Sequence, residues 1–434
     1  QFYLHNNKLT GAIPATIANL TNLTFLYLNN NKLSGSIPET IGNLTSLKYL
    51  YLYNNKLSGT IPETVGNITK LDRLALDNNE LTGLIPNSIG NLSNLTFLNF
   101  SNNKLDGTIP DSIGNLSSLR YLYLYNNQLT GSIPEAIGNL SNLRSLNLYS
   151  NELIGSIPET IGNLSSLVYL YLYDNKLTGE IPRTIGNLTN LKYFYLYDNK
   201  LSGSIPGEIG SLTKLTNLAL DYNELTGSIP NSIGNLTNLW FLNFGNNKLD
   251  GAIPDSIGNL SRLQYLYLYG NQLTGEIPEV IGNLTNLKYL SLYENQLTGK
   301  IPKTVENLTK LASLKLSKNQ LRGMVPASLC NLPYLQTIEL SDNNLCPSYP
   351  ECLDASSIGN QDISKCPYPD IYELIPTEPA PGQIITLSGI NFGSPLNATT
   401  VNFYQNETVT EGFLFESPSS QTELFVRIPR GLAI

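Results

Sequence analysis

The sequence repeats itself every 24 residues, without insertion or deletion, over roughly 340 of its 434 residues. A proline recurs at this spacing up to Pro326, an asparagine from Asn7 to Asn343, and a glycine from Gly11 to Gly323. A unit of 24 residues cannot bury its aliphatic side chains alone. Neighbouring units must therefore stack as coils of one array and share a continuous core.

Each unit predicts a strand followed by a short helical turn. Leu26 and Leu28 alternate with Phe25 and Tyr27, a period of two that is typical of a strand with one buried face. Later in the unit, aliphatic residues recur every three positions from Ile41, which suits a short 3₁₀ or helical turn.

The residues between these elements predict the turns. Asn31 directly follows the strand, so we expect a buried side-chain amide that bonds the backbone of adjacent coils. Gly35 allows a positive φ or a close backbone approach. Pro38 biases Ile37 towards extended backbone.

Residues 1–345 resemble the plant-type class of the leucine-rich repeat family, which carries this Leu-x-Gly-x-Ile-Pro segment. The resemblance implies an α/β solenoid, with a parallel sheet on the concave side and short 3₁₀ or helical turns on the convex side. The N-terminal cysteine cap typical of secreted members is missing, and Gln1 starts within a predicted strand. We therefore expect the native chain to continue upstream.

A longer period lies on top of the 24-residue one. Residues 71–140 are identical to residues 215–284 at 57 of 70 positions, an offset of six coils. This identity predicts that the array grew by duplication of a six-coil block. The duplication repeats surface residues as well as core residues, since Asn99 recurs as Asn243.

The four cysteines follow the last clear repeat. An even number, placed where the last coil needs a cover, predicts two disulfides in a C-terminal cap over residues 346–367 together with Cys330. Three pairings are open, and the rival zinc site lacks any Cys-x-x-Cys pair. The cysteines are Cys330, Cys346, Cys352 and Cys366.

The composition changes at Tyr368, where prolines and alternating strand residues replace the repeat. The segment from Gly382 to Gly393, followed by Val401-Asn-Phe403, resembles the immunoglobulin-like TIG/IPT family. The resemblance implies an all-β domain over residues 368–434. These 67 residues are fewer than the ~100 of a full sandwich, so we expect the domain to be incomplete.

Composition excludes several functions. A single histidine, His5, argues against histidine-based catalytic or metal sites, and a net charge of −8 argues against a nucleic-acid partner. No apolar run approaches a membrane span, and we predict no catalytic residue, metal or cofactor. We interpret the carboxylates near the strand ends as a solvated face, in preference to a glycosidase pair or a calcium site. They are Asp77, Asp174, Asp198, Asp221 and Glu294.

Tyrosine dominates the outward strand positions, which hold twenty of the 26 tyrosines. On a parallel sheet they would form aromatic ladders, a surface suited to a protein or glycan partner. The alternative is that tyrosine was chosen for strand propensity and self-stacking. The candidate binding face is Tyr49, Tyr51, Tyr53, Tyr121, Tyr123, Tyr125, Tyr169, Tyr171, Tyr173, Tyr193, Tyr195, Tyr197, Tyr265, Tyr267 and Tyr269.

Seventeen Asn-x-Ser/Thr sequons predict N-glycosylation if the chain is secreted by a eukaryote. Twelve of them are in phase, which means that they occupy the same position of the repeat. They therefore count as a single observation that the repeat has copied. They are Asn19, Asn43, Asn67, Asn91, Asn115, Asn139, Asn163, Asn187, Asn235, Asn259, Asn283 and Asn307; the others are Asn22, Asn94, Asn99, Asn397 and Asn406.

Together these features predict a non-enzymatic extracellular or cell-surface glycoprotein. A rigid tyrosine-rich face would serve adhesion, recognition or assembly, because a stacked array holds its side chains in place before binding. Two alternatives stay open. One is a self-assembling subunit of an extracellular filament or surface coat. The other is a receptor ectodomain or polysaccharide-binding wall protein.

Overall fold

The computed structural model describes residues 1–347 and 349–366, together with strands between residues 370 and 427. Its main feature is a 15-stranded parallel sheet with one short strand from each coil, in chain order. The strands are Phe2–Tyr3, Phe25–Tyr27, Tyr49–Tyr51, Arg73–Ala75, Phe97–Asn99, Tyr121–Tyr123, Ser145–Asn147, Tyr169–Tyr171, Tyr193–Tyr195, Asn217–Ala219, Phe241–Asn243, Tyr265–Tyr267, Tyr289–Ser291, Ser313–Lys315 and Thr337–Glu339.

Strand pairing keeps an offset of 24 residues within the repeats, so Leu26 lies beside Leu50 and Tyr27 beside Tyr51. Every side chain is therefore flanked by its own equivalents in the neighbouring coils. Leucines such as Leu50 are fully buried, and they merge into one core cluster that runs the length of the array. The predicted solenoid is confirmed.

A 3₁₀ helix follows each proline of the 24-residue repeat, on the opposite side of the core, as the spacing predicts. It carries one or two buried residues, such as Ile41 and Gly42. The helices are Ala15–Asn19, Glu39–Asn43, Glu63–Asn67, Asn87–Asn91, Asp111–Asn115, Glu135–Asn139, Glu159–Asn163, Arg183–Asn187, Gly207–Ser211, Asn231–Asn235, Asp255–Asn259, Glu279–Asn283, Lys303–Asn307 and Ala327–Asn331.

Many coils add a second short strand between the concave strand and the 3₁₀ helix. The recurring glycine of this segment has a positive φ, +77° at Gly35, as predicted. These strands are Thr10–Gly11, Lys32–Gly35, Lys56–Gly59, Glu80–Gly83, Lys104–Leu105, Thr178–Gly179, Lys200–Leu201, Thr226–Ser228, Lys248–Asp250, Arg322–Met324 and Asn344–Cys346.

The recurring asparagine joins its own coil to the preceding one, which confirms its predicted role. The Asn151 side chain is buried, and its Nδ2 donates to the carbonyls of Leu124 and Leu148 at 3.1 and 3.0 Å. Its Oδ1 accepts a hydrogen bond from the Leu129 backbone N–H at 3.1 Å. One amide thus satisfies backbone groups that the turn would otherwise bury without partners.

The last coil is covered by residues 346–366. Disulfides join Cys330 to Cys352 and Cys346 to Cys366, one of the three pairings left open. Gln361 takes the place of the next asparagine, because its Nε2 donates to the Leu340 carbonyl at 2.8 Å and its Oε1 accepts from the backbone N–H of residue 345 at 3.0 Å. The cap also contains an α-helix, Ala355–Ile358, and a 3₁₀ turn, Ile363–Lys365.

Beyond residue 369 the described residues form antiparallel pairs. The strands are Asp370–Ile375, Ile384–Ile390, Val401–Gln405, Thr408–Leu414 and Glu423–Arg427. The Asn391-Phe392-Gly393 part of the TIG/IPT resemblance lies outside the described residues, as do Asn397 and Asn406.

Candidate recognition surface

The outward strand positions form three columns that cross the concave sheet. In one coil these positions are Tyr49, Tyr51 and Tyr53. The first column consists of position 49 and its equivalents every 24 residues, and the second and third columns start in the same way from positions 51 and 53. The structure thereby brings the predicted tyrosines onto one face. Their side chains are half-buried, apart from the more exposed Tyr169.

The third column contains a run of four stacked rings. Tyr125, Tyr149, Tyr173 and Tyr197 follow one another with ring centroids 4.4, 4.4 and 4.3 Å apart and interplanar angles of 8–12°. Offset stacking of this kind stabilises the array and fixes the rings before any ligand arrives. Tyr149 was not in the predicted set, although its spacing alone could have identified it.

The first and second columns stack over shorter stretches. Tyr169 lies 5.1 Å from Tyr193, and Tyr171 lies 5.1 Å from Tyr195. Burial and neighbouring tyrosines raise the pKa of Tyr267 to about 12, and burial likewise raises that of Tyr171. The hydroxyls therefore stay protonated at neutral pH and can both donate and accept hydrogen bonds.

The predicted tyrosines do not form one uninterrupted surface. Ser145 and Asn147 separate Tyr121 and Tyr123 from the tyrosines of the Tyr169–Tyr171 strand. Tyr121 instead has a tilted contact with Phe97 at 6.2 Å. The columns are thus divided into blocks of aromatic residues by coils with small or polar residues.

Two of these interruptions are equivalent, six coils apart. The first coil carries Arg73, Ala75 and Asp77 in the three columns, and the second carries Asn217, Ala219 and Asp221. The second interruption forms a hollow of about 410 Å³ in the concave face. Its lining is Tyr195, Tyr197, Asn217, Ala219, Asp221, Trp240, Phe241 and Asn243.

Asp221 corrects the prediction of a uniformly solvated acidic face. Only 7% of Asp221 is exposed, and within the described part of the chain its Oδ1 has no hydrogen-bond partner. Burial raises the pKa of Asp221 to about 6, partly offset by the Asn243 side chain. Asp77 is half-buried and its pKa is also raised to about 6, whereas Asp174, Asp198 and Glu294 are exposed as expected.

Sequence reasoning missed this hollow. The available signal was the loss of every aromatic residue from all three columns at once, at Arg73, Ala75 and Asp77 and again six coils later. The formation of the hollow also depends on Trp240, the single tryptophan of the chain, which lines it. The equivalent residue in the first block is Thr96.

Fourteen of the predicted sequon asparagines are exposed along the flank of the solenoid, namely the twelve in phase together with Asn22 and Asn94. Each of the twelve in phase is the last residue of a 3₁₀ helix. Asn99 differs, since it is half-buried in the concave sheet and its Oδ1 accepts hydrogen bonds from Ser101.

Among the described residues, no group of three or more His, Cys, Asp or Glu is placed to hold a metal ion. The same residues contain no helix long and apolar enough to cross a membrane.

The chain belongs to the leucine-rich repeat family. A model of the leucine-rich repeat region matches residues 4–111, 98–229, 183–272 and 208–358, which together cover most of the chain. No curated protein sequence matches this chain.

Solved structures with the same architecture come from plants and bacteria. The plant peptide hormone receptor RGFR1 in complex with RGF2 is 33% identical, with a TM-score of 0.65, over 83% of this chain and 66% of that one. The PEPR1–AtPEP1 complex is 36% identical, with a TM-score of 0.67, over 82% and 57%. A leucine-rich repeat protein of Leptospira interrogans is 38% identical, with a TM-score of 0.64, over 78% and 85%. The chain thus spans less than two thirds of the two plant chains.

Proposed function

We propose that this chain is the ligand-recognition part of an extracellular or cell-surface protein, and that it binds a peptide or a protein segment along its concave face. The observation that carries the proposal is the row of pre-stacked tyrosines from Tyr125 to Tyr197. Rigid aromatic rings with polar tips supply contact area at a low entropic cost of ordering.

Two further observations support the proposal. Similar plant structures are peptide hormone receptors, and RGFR1 was solved with RGF2 on it. The two disulfides, Cys330–Cys352 and Cys346–Cys366, are typical of an oxidising extracellular compartment. The proposal is therefore a binding function outside the cell, without catalysis.

Residues 368–434 are proposed to be an immunoglobulin-like TIG/IPT module, on the strength of the sequence resemblance and the antiparallel strand pairing. The cysteine-rich segment 346–367 would separate it from the solenoid. Adhesion, the filament subunit and the polysaccharide-binding wall protein stay predictions, and glycosylation of the exposed sequons is proposed on the same footing.

Selection of displayed random peptides on the purified chain tests the recognition function. We expect the recovered peptides to lose at least tenfold in affinity on Y171A/Y195A, because this variant removes two stacked rings from the concave face. The matched control is Y334A, since Tyr334 is 62% exposed and lies outside the three columns. Failure to recover any peptide, or equal loss on Y334A, would overturn the proposal.

A further inference from the structure

The hollow around Asp221 differs from the rest of the concave face in three respects. It lies where the four-ring stack ends, because Asp221 follows Tyr197 in the third column. It contains a buried carboxylate, and it is flanked by the indole of Trp240, 39% exposed. We propose that this hollow is a subsite for a guanidinium group, presented as an arginine side chain of the bound peptide.

The carboxylate supplies the first argument. An unpaired carboxylate oxygen away from water is costly, and a hydrogen-bonded cation is the partner that offsets this cost best. Asp221 lines the hollow, and its Oδ1 is buried and has no hydrogen-bond partner among the described residues. A guanidinium offers several donors in one plane and loses less hydration than an ammonium group.

The duplicated block supplies the second argument. At the equivalent place in the first block, Arg73 fills the space between its aromatic neighbours in the first column. Its guanidinium carbon lies 6.0 Å from the ring centroid of Tyr49 and 5.9 Å from that of Phe97, within range of a cation–π contact. Arg73 also interacts with the Tyr51 hydroxyl. This chain therefore already shows a guanidinium held in such an interruption.

The second block lacks the two residues that contact the aromatic rings and the carboxylate in the first block, Arg73 and Asn78. Asn217 replaces Arg73 and is too short to reach between the rings. Asn78, whose Nδ2 donates to Asp77 Oδ2 at 2.9 Å, is replaced by Tyr222. These two changes remove a cation and a hydrogen-bond donor from the same coil, while the carboxylate is kept. The Asn243 side chain bonds the Asp221 carboxylate, but Oδ1 has no partner among the described residues.

The surroundings favour a cationic ligand as well. Asp174 and Asp198 stand exposed at turn positions where several other coils carry asparagine, so the rim beside the hollow is acidic. The chain as a whole carries a net charge of −8. Such a field attracts a basic peptide and raises its association rate.

Fluorescence of Trp240, the single tryptophan, provides a direct test of the guanidinium subsite, which rests on the proposed function. We expect N-acetylarginine amide to change the Trp240 emission with a saturable dependence. N-acetylcitrulline amide, a neutral molecule of nearly the same shape, should bind at least tenfold more weakly. The variant D221N should reduce arginine binding at least tenfold, and N217R should abolish it by filling the hollow as Arg73 does.

The matched control is D198N, which removes an equal charge from the exposed rim and introduces the residue found at this turn in other coils. It should retain most of the arginine response. Equal responses to arginine and citrulline, or no effect of D221N, would overturn the subsite. If peptides without arginine bind the concave face and their affinity is unchanged by D221N, only the subsite is contradicted. If the chain binds no peptide, the proposed function is contradicted.

Discussion

Arg73 and Asn217 occupy the same position in two copies of one six-coil block, yet only Arg73 fills the space between its aromatic neighbours. Its guanidinium lies 6.0 Å from the Tyr49 ring and 5.9 Å from the Phe97 ring. Asn217 leaves the equivalent space open, and Ala219 lines it together with Asp221. The duplicated surfaces have therefore diverged into a closed and an open form.

The closed form leads to a first prediction. Replacing Arg73 by asparagine removes the two cation–π contacts and should cost about 0.5–1 kcal/mol of stability, because the site is exposed. The control is R120N, since Arg120 is exposed and has no such aromatic contact among the described residues. Urea unfolding measures the difference. Equal stabilities of the two variants would contradict the role given to Arg73.

The asparagine ladder leads to a second prediction. Asn151→Ala leaves the Leu129 N–H without its side-chain partner, whereas the carbonyls of Leu124 and Leu148 each keep one donor, Asn127 and Asn175. A buried N–H left unpaired costs about 1–3 kcal/mol, so we expect a loss of that size and faster amide exchange in the adjacent coils.

Asn142→Ala is the matched control for the ladder. Asn142 lies nine residues earlier in the same coil, is exposed, and makes one side-chain hydrogen bond, to the Ser117 carbonyl at 2.9 Å. We expect it to cost less than about 1 kcal/mol. Comparable losses in the two variants would show that the ladder adds nothing beyond an ordinary surface bond.

Close stacking of the 3₁₀ helices leads to a third prediction. A Cβ on Gly162 would lie 2.5 Å from Thr184 Cβ and 2.6 Å from its carbonyl oxygen, so Gly162→Ala must push neighbouring coils apart. We expect a loss of about 1–3 kcal/mol. Gly207→Ala is the control, because its Cβ would meet nothing within 4 Å, and it should be neutral or slightly stabilising. Thermal unfolding distinguishes the two; equal shifts would contradict close stacking.

The raised pKa of Asp221, about 6, leads to a fourth prediction. The folded state takes up a proton between pH 6 and pH 4 that the unfolded state does not, so this group makes the protein more stable as the pH falls through that range. Asp221→Asn removes the buried charge. It should stabilise the chain by about 2–3 kcal/mol at pH 7 and by little at pH 4.

The groups facing Asp221 do not obscure this dependence. Tyr197 and Tyr269 stay uncharged across the range, because their pKa values are raised, and Asp198 adds a repulsion that also favours the protonated form. Urea unfolding of D221N and D198N at pH 4 and pH 7 provides the comparison. A D221N effect that is independent of pH would contradict a buried carboxylate.

Much of the solenoid could be predicted because sequence spacing and spatial stacking coincide at 24 residues. Leu26 and Leu50 are equivalent in the repeat and adjacent in the sheet, so one consensus defines both a coil and its contacts. The asparagine ladder, the glycine with positive φ and the tyrosine columns follow from the same register. These features are local or repeat with the coil, and the sequence determined them by itself.

Only the tertiary structure decided the features that depend on contacts between different kinds of residue. The pairing of Cys346 with Cys366, and the substitution of Gln361 for an asparagine, arise where the repeat ends and spacing no longer predicts neighbours. The burial of Asp221 depends on the volumes of side chains from three adjacent coils, Trp240 among them. Burial is set by how unlike side chains pack around a position, and the repeat pattern carries no information about that packing.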